Sequence, residues 1–178
     1  MLYTMNQLEL KTNRLILRKL ERSDSSEIER LAEDKAVASM TLNVPHPYLP
    51  GMALEWISTH DQGWKDRSSI TYGIMFRDSA QLIGAMGLVS NSREEAELGY
   101  WIGKDYWGNG YCTEAAEKLL DFGFRKLGLE RVIARHLANN PASGRVMEKC
   151  GMVFCGTSEG ADRNGELTSF VHYILSRT

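Results

Sequence analysis

The chain has 178 residues, of which 43% are hydrophobic and 25% charged, the balance of one ordinary globular domain spanning 1–178 and not of a disordered chain. At this length folding buries about 70% of the unfolded surface, so neither disulfides nor a metal are required. A net charge of −2 argues against nucleic acid or an anionic membrane as the main partner. Three cysteines (Cys112, Cys150, Cys155) are too few for a secreted disulfide framework and point to a cytoplasmic protein.

In chain order, the opening residues Met1 to Asn6 lack a basic segment followed by an apolar run, so no targeting peptide is expected. Leu8 to Leu20, centred on Leu15-Ile16-Leu17-Arg18, reads as a first strand. Ser23 is the expected N-cap of a helix through Ile28 and Leu31. Ala36 to Leu54 carries no formal charge, but Pro45, Pro47, Pro50 and Gly51 forbid a membrane helix, so it reads as an irregular connection. Leu54, Ile57, Trp56 and Trp64 then mark a short helix.

A meander follows. Ile70 to Phe76, Gln81 to Val89 and Glu97 to Ile102 alternate like strands, separated by turns at Asp78-Ser79 and Asn91-Ser92-Arg93. From Gly110, the spacing of Ala116, Leu119, Leu120, Gly123 and Leu127 predicts an amphipathic helix ended by Gly128. Arg131 to Ala138 is a strand. Asn140-Pro141 opens a helix running to Gly151. Met152 to Cys155 and Thr168 to Leu175 close the chain as strands around a polar turn at Gly160 to Gly165. The order β-α-α-β-β-β-α-β-α-β-β defines an α+β domain with a mixed sheet.

Chemistry concentrates at Trp107-Gly108-Asn109-Gly110-Tyr111-Cys112-Thr113. A glycine turn before a helix gathers backbone N–H groups and the positive helix end around one point, which suits a phosphate or pyrophosphate; alone, it is equally well a tight turn. Gly99 to Lys104 is one residue short of a nucleoside-triphosphate loop, with Asp105 where Ser or Thr belongs, and the dinucleotide pattern fails after Gly110. The four histidines (His46, His60, His136, His172) show no metal-ligand spacing among themselves or with the cysteines, so no metal is expected.

These residues and three other segments resemble a known family. Thr12-Asn-Arg-Leu-Ile-Leu-Arg18 with Asp24, Glu97-Leu-Gly-Tyr-Trp-Ile102, Tyr106 to Ala115, and Asn139 to Met152 together are similar to the GCN5-related N-acetyltransferases (GNAT), in the branch of the ribosomal-protein N-terminal acetyltransferases RimJ and RimL. The departures are Trp107 and Cys112 at the ends of the glycine loop and Met152 where Phe is common. The resemblance implies a GNAT fold, with a mostly antiparallel seven-stranded sheet, a splay between its central strands and flanking helices. It implies acetyl-CoA as co-substrate, no metal, and direct transfer of the acetyl group to an amine acceptor.

By that resemblance Leu98, Gly99, Tyr100, Trp101 and Ile102 take the pantetheine arm, and Trp107, Gly108, Asn109, Gly110, Tyr111, Cys112 and Thr113 take the pyrophosphate. Asn140 either contacts the pantetheine, holds the splayed strand end or caps its helix. Glu97 is either the carboxylate that draws the proton from the amine or a solvent-facing strand residue. Ser143 either donates to the leaving thiolate or caps a helix. The acceptor wall is expected from Asn43 to Trp64, with His46, Tyr48, Trp56 and Trp64, and from the Thr157 to Glu166 turn. His136 reads as a core residue, and the cysteines lack the partners of a nucleophile.

The acceptor is either a protein N-terminus or a small amine such as a polyamine, an amino acid or an aminoglycoside. A non-catalytic CoA-binding sensor and an unrelated phosphate-ligand module are the rival classes. A homodimer through the apolar residues of the last strands is also open.

Overall fold

Alternating apolar side chains in three consecutive segments build the middle of a sheet. In the computed structural model, which describes residues 8–177, these are β3 (Ser69–Phe76), β4 (Leu82–Ser90) and β5 (Glu95–Ile102), paired antiparallel. The opening residues read above for a targeting signal lie outside the described residues. Ahead of the meander come β1 (Leu10–Lys11) and β2 (Leu15–Arg18), and after it β6 (Arg131–Leu137), β7 (Val153–Ala161) and β8 (Leu167–Ser176). The strand order is β1-β2-β3-β4-β5-β6-β8-β7, antiparallel everywhere except between β5 and β6. Among the described residues the sheet has eight strands where seven were expected. The difference arises because Thr12, Asn13 and Arg14 turn the first strand back on itself, pairing Leu10 with Leu17.

Helices cover both faces. The helix α1 (Ser25–Ala32) and the longer α3 (Met52–Asp66) pack on β4 and β3. The opposite face holds α4 (Tyr111–Phe122) and α5 (Pro141–Lys149). Because β5 and β6 are parallel, their link must cross the sheet, and α4 makes that crossing. Its Ala115, Ala116, Leu119, Leu120 and Phe122 are buried against Leu15, Leu17, Tyr72, Met86 and Leu98. The helix continues as a wider five-residue turn, Gly123–Leu127, and stops at Gly128, whose φ of 77° favours glycine.

Several sequence expectations need correction. Ser23 lies within a 3-10 turn, Arg22–Asp24, and Asp24 holds the N-cap of α1. The Asp24 carboxylate is spent elsewhere, accepting both Arg18 Nη groups at 2.8 Å and the Glu21 amide at 2.7 Å. The connection from Ala36 is not wholly irregular, since α2 (Lys35–Ser39) starts on an Asp34 cap and α3 begins at Met52. The polar turn near the C-terminus is shorter than expected because β7 runs to Ala161.

The buried face of α3 is Ala53, Ile57 and His60 rather than Leu54. His60 is 6% exposed and neither ring nitrogen has a hydrogen-bond partner among the described residues. Burial, helped by Lys19 and opposed by Asp61, lowers its pKa from 6.5 to about 4. Because the folded value lies below the unfolded one, the stability from keeping His60 neutral is complete above pH 6.5 and is lost as pH falls toward about 4. The loss is at most about 3 kcal/mol. Thermal denaturation across that range should show a steeper decline for the wild type than for His60→Phe; equal slopes would contradict the assignment.

Candidate functional site

The sheet opens at its one parallel junction. Pairing between β5 and β6 covers only Glu95 to Leu98 against Arg131 to Ala134. Beyond this point β5 stays on β4 through Ile102, and β6 stays on β8 through Leu137. The two strands therefore part after Leu98, leaving the inner edge of residues 99–102 without a strand partner. A cleft of about 230 Å³ occupies the gap. Gly99 sits at its start, and a Cβ built there meets nothing within 4 Å. Leu98, Gly99, Tyr100 and Trp101 line the cleft; Ile102 ends the strand and is buried.

The glycine loop stands where β5 hands over to α4. Gly108 and Gly110 both have φ of 77°, a region that L-residues avoid. The amide of Trp107 bonds to Lys104 O at 3.1 Å, whereas the amides of residues 108–113 find no acceptor among the described residues. Gly110 is the N-cap and has no side chain to satisfy them. Six consecutive N–H donors at a positive helix end make a seat for a multiply charged anion. The Trp107 indole donates to Ile102 O at 2.7 Å and so closes the end of β5.

A clamp missed by sequence reasoning holds this loop. Glu114 accepts from Thr12 Oγ1 at 2.6 Å, from the Arg14 amide at 2.8 Å and from Arg14 Nε at 2.7 Å. Arg14 Nη1 also donates to Asn109 O at 3.1 Å, and the guanidinium lies 4.5 Å from the Tyr111 ring centroid. Burial alone would raise the Glu114 pKa, but the hydrogen bonds from Thr12 and Arg14 leave it below its ordinary value. The Thr12-Asn-Arg motif was visible in the sequence; its contact with α4 was not, being 100 residues away.

On the α5 side, Asn140 uses both ends of its amide. Oδ1 accepts from the Ser143 amide at 3.2 Å and Nδ2 donates to Met40 O at 2.8 Å. It thereby caps α5 and ties the end of β6 to the segment after α2. Asn140→Ala should cost about 1 kcal/mol from the cap, read as a lowered denaturation midpoint. An unchanged midpoint would contradict that role. Ser143 Oγ lies 2.8 Å from Tyr100 Oη, which also donates to Ser143 O at 3.0 Å.

Glu97 lies on the opposite face of β5 from Leu98 and Tyr100. Its Oε1 accepts from Arg135 Nε at 3.0 Å, and both residues line the cleft. Of the expected acceptor wall, Asn43, Val44 and Trp56 line the cleft, while His46, Tyr48, Trp64 and the Thr157 to Glu166 segment do not. Tyr48 instead packs on the cores beside α1 and α2, and Trp64 on the main core. His136 is buried and lines the cleft, with Nδ1 2.8 Å from Leu137 O. Burial pushes the Cys112 thiol well above its ordinary range and the Cys150 thiol to about 12, so neither is a ready thiolate. Among the described residues no cluster of metal-ligating groups occurs, and no helix is long and apolar enough to cross a membrane.

The profile of the acetyltransferase (GNAT) domain matches residues 14–153. The uncharacterized N-acetyltransferase YoaA of Bacillus subtilis is 31% identical over 144 residues, covering 80% of this chain and 81% of that protein. Among solved structures, RimL, a ribosomal L7/L12 alpha-N-protein acetyltransferase in complex with coenzyme A, has a TM-score of 0.85 at 17% identity, covering 95% of this chain and 98% of that one. Spermidine N-acetyltransferase from Vibrio cholerae, in complex with CoA and spermine, has a TM-score of 0.78 at 23% identity, covering 93% and 96%. These two share the fold. The chain belongs to the GNAT family of acetyltransferases. It is an N-acetyltransferase whose acetyl donor is acetyl-CoA.

Proposed function

We propose that acetyl-CoA lies in the splay, with its pyrophosphate on the amides of residues 108–113 and its pantetheine along 99–102, and that the acceptor is the α-amine of a protein N-terminus. The observation that carries this is the succession of the two features: the unpartnered strand edge is followed, after the single turn Lys104–Tyr106, by six N–H donors that have no acceptor among the described residues. The chemical fit is good, since the donors suit a diphosphate and the bare Gly99 leaves room for a chain beside the strand. Bound acetyl-CoA supplies a thioester carbonyl for attack.

The residues divide the remaining work by face. Glu97 takes the amine proton on one side of β5, directly or through water. Ser143 donates to the departing sulfur on the other side once Tyr100 Oη turns its proton from Ser143 O to Ser143 Oγ, 2.8 Å away. Backbone N–H groups near Tyr100 and Trp101 receive the charge that grows on the carbonyl oxygen. An α-amine, with pKa of ~7.7–8.0 against ~10.4 for lysine, needs less from its base. That suits a carboxylate already engaged by an arginine.

The second reading, a small-molecule amine, rests on the likeness to the spermidine enzyme. Incubation with acetyl-CoA and a panel of N-terminal peptides, amino acids, spermidine and an aminoglycoside, read by mass spectrometry, separates the two. Acetylation at a peptide α-nitrogen is the expected result. CoA binding with no acetylated amine would instead mark a non-catalytic sensor.

A further inference from the structure

We infer that the acceptor is an amine carrying an anionic group, a carboxylate by chemistry, on the same residue as the nitrogen or on the next one, and that Arg135 reads this group. The inference rests on the proposed function and names its acceptor class. The Glu97–Arg135 pair is the only pair of opposite charges among the residues lining the cleft. The pair uses one atom from each side: Arg135 Nε on Glu97 Oε1. Glu97 Oε2 and both Arg135 Nη groups make no hydrogen bond to the described residues.

The guanidinium is held in place besides. Its carbon lies 5.4 Å from the Phe170 ring centroid, so β5 fixes it at one end and β8 braces it from the side. The Arg135 side chain is 43% exposed, which keeps its outer fork open to a ligand. A planar fork with two unspent nitrogens matches a carboxylate better than it matches a neutral carbonyl. The open Glu97 oxygen beside it matches an ammonium. Together they form a receptor for a zwitterion, which brings the reacting nitrogen to the base and the anion to the guanidinium.

The charge of the cleft lining disfavours a polyamine. A polycation needs a carboxylate for each further ammonium, and the cleft lining contains no acidic residue besides Glu97, already half neutralised by Arg135. Two sources supply the required chemistry: a free amino acid, and a peptide with Asp or Glu next to its N-terminal residue.

The test compares acceptors that differ only in the anion. One arm uses a peptide beginning Ser-Asp against one beginning Ser-Asn, and the other an amino acid against its amide. Wild type should favour the acidic member of the preferred pair by about tenfold in kcat/KM, mainly through KM. Arg135→Gln should bring that ratio close to one, and Arg135→Lys should restore part of it. Because each ratio compares two acceptors on one enzyme, a general loss of activity from disturbing Glu97 cancels.

Calorimetry of the N-acetylated peptides on the CoA-loaded enzyme supplies a reading independent of turnover. The acidic product should bind about tenfold more weakly to Arg135→Gln than to wild type. Stabilisation by acetyl-CoA verifies that the variant is folded. A wild-type ratio of one, or a ratio that survives in Arg135→Gln, overturns the inference while leaving the acetyltransferase reading intact. If no acceptor is acetylated, the catalytic reading fails, and equal calorimetric affinities then overturn the Arg135 assignment as well.

Discussion

Gly110→Asp should weaken acetyl-CoA binding by a hundredfold or more, about 2.7 kcal/mol, while leaving the fold in place. The position has φ of 77° and no neighbour crowds an added Cβ, with Arg14 Nη2 nearest at 3.6 Å. Asp is among the L-residues that tolerate this conformation, so the cost to folding is small. Its carboxylate, however, would stand among the six amides that have no acceptor among the described residues and repel the diphosphate. Gly110→Asn separates charge from shape and should lose much less affinity. Isothermal titration with acetyl-CoA reads both; equal losses in the two variants would mean that crowding, not charge, governs the loop.

Glu97→Gln should lower kcat by about a hundredfold, within the usual range for removing a general base, and leave the affinity for acetyl-CoA unchanged. The amide oxygen can still accept from Arg135 Nε, so the local geometry at 3.0 Å is retained. What disappears is the group that takes the proton. The rate should therefore regain ground at high pH, where more of the acceptor is already a free amine. An acceptor of lysine-like pKa should suffer more than an α-amine. Full activity with an unchanged pH profile would show that Glu97 is a surface strand residue.

The strands and helices were legible where the hydrophobic period was regular. The meander at Ile70 to Ile102 and the α4 stripe are of this kind, and both appear within a few residues of the expected bounds. Short elements were not legible. The two-residue β1 carries no period, and α2, with five residues, depends on the Asp34 cap and on burial of Val37 and Ala38. Ser23 misled because Ser and Asp are both good caps, and only the ion pair with Arg18 shows why the chain stops at Asp24.

The candidate site divides in the same way. The glycine loop and Asn140 are local patterns, and the sequence carries both. Contacts between distant segments are not: Arg14 with Glu114, Tyr100 with Ser143, Asn140 with Met40, and Arg135 with Glu97 each join residues 38 or more positions apart. The last contact had a readable component. Glu95 and Glu97 alternate on one face of β5, as do Arg131 and Arg135 on β6, and parallel pairing sets these two rows beside each other. Knowing the strand neighbours would have revealed it.

Amide hydrogen exchange with and without acetyl-CoA tests the central claim most directly, because it reads the backbone groups on which the site is built. Ligand should slow exchange at residues 108–113 and along 99–102, with little change in β1, β2 and β3. Protection confined to other segments, or none at saturating acetyl-CoA, would contradict the placement of the donor in the splay.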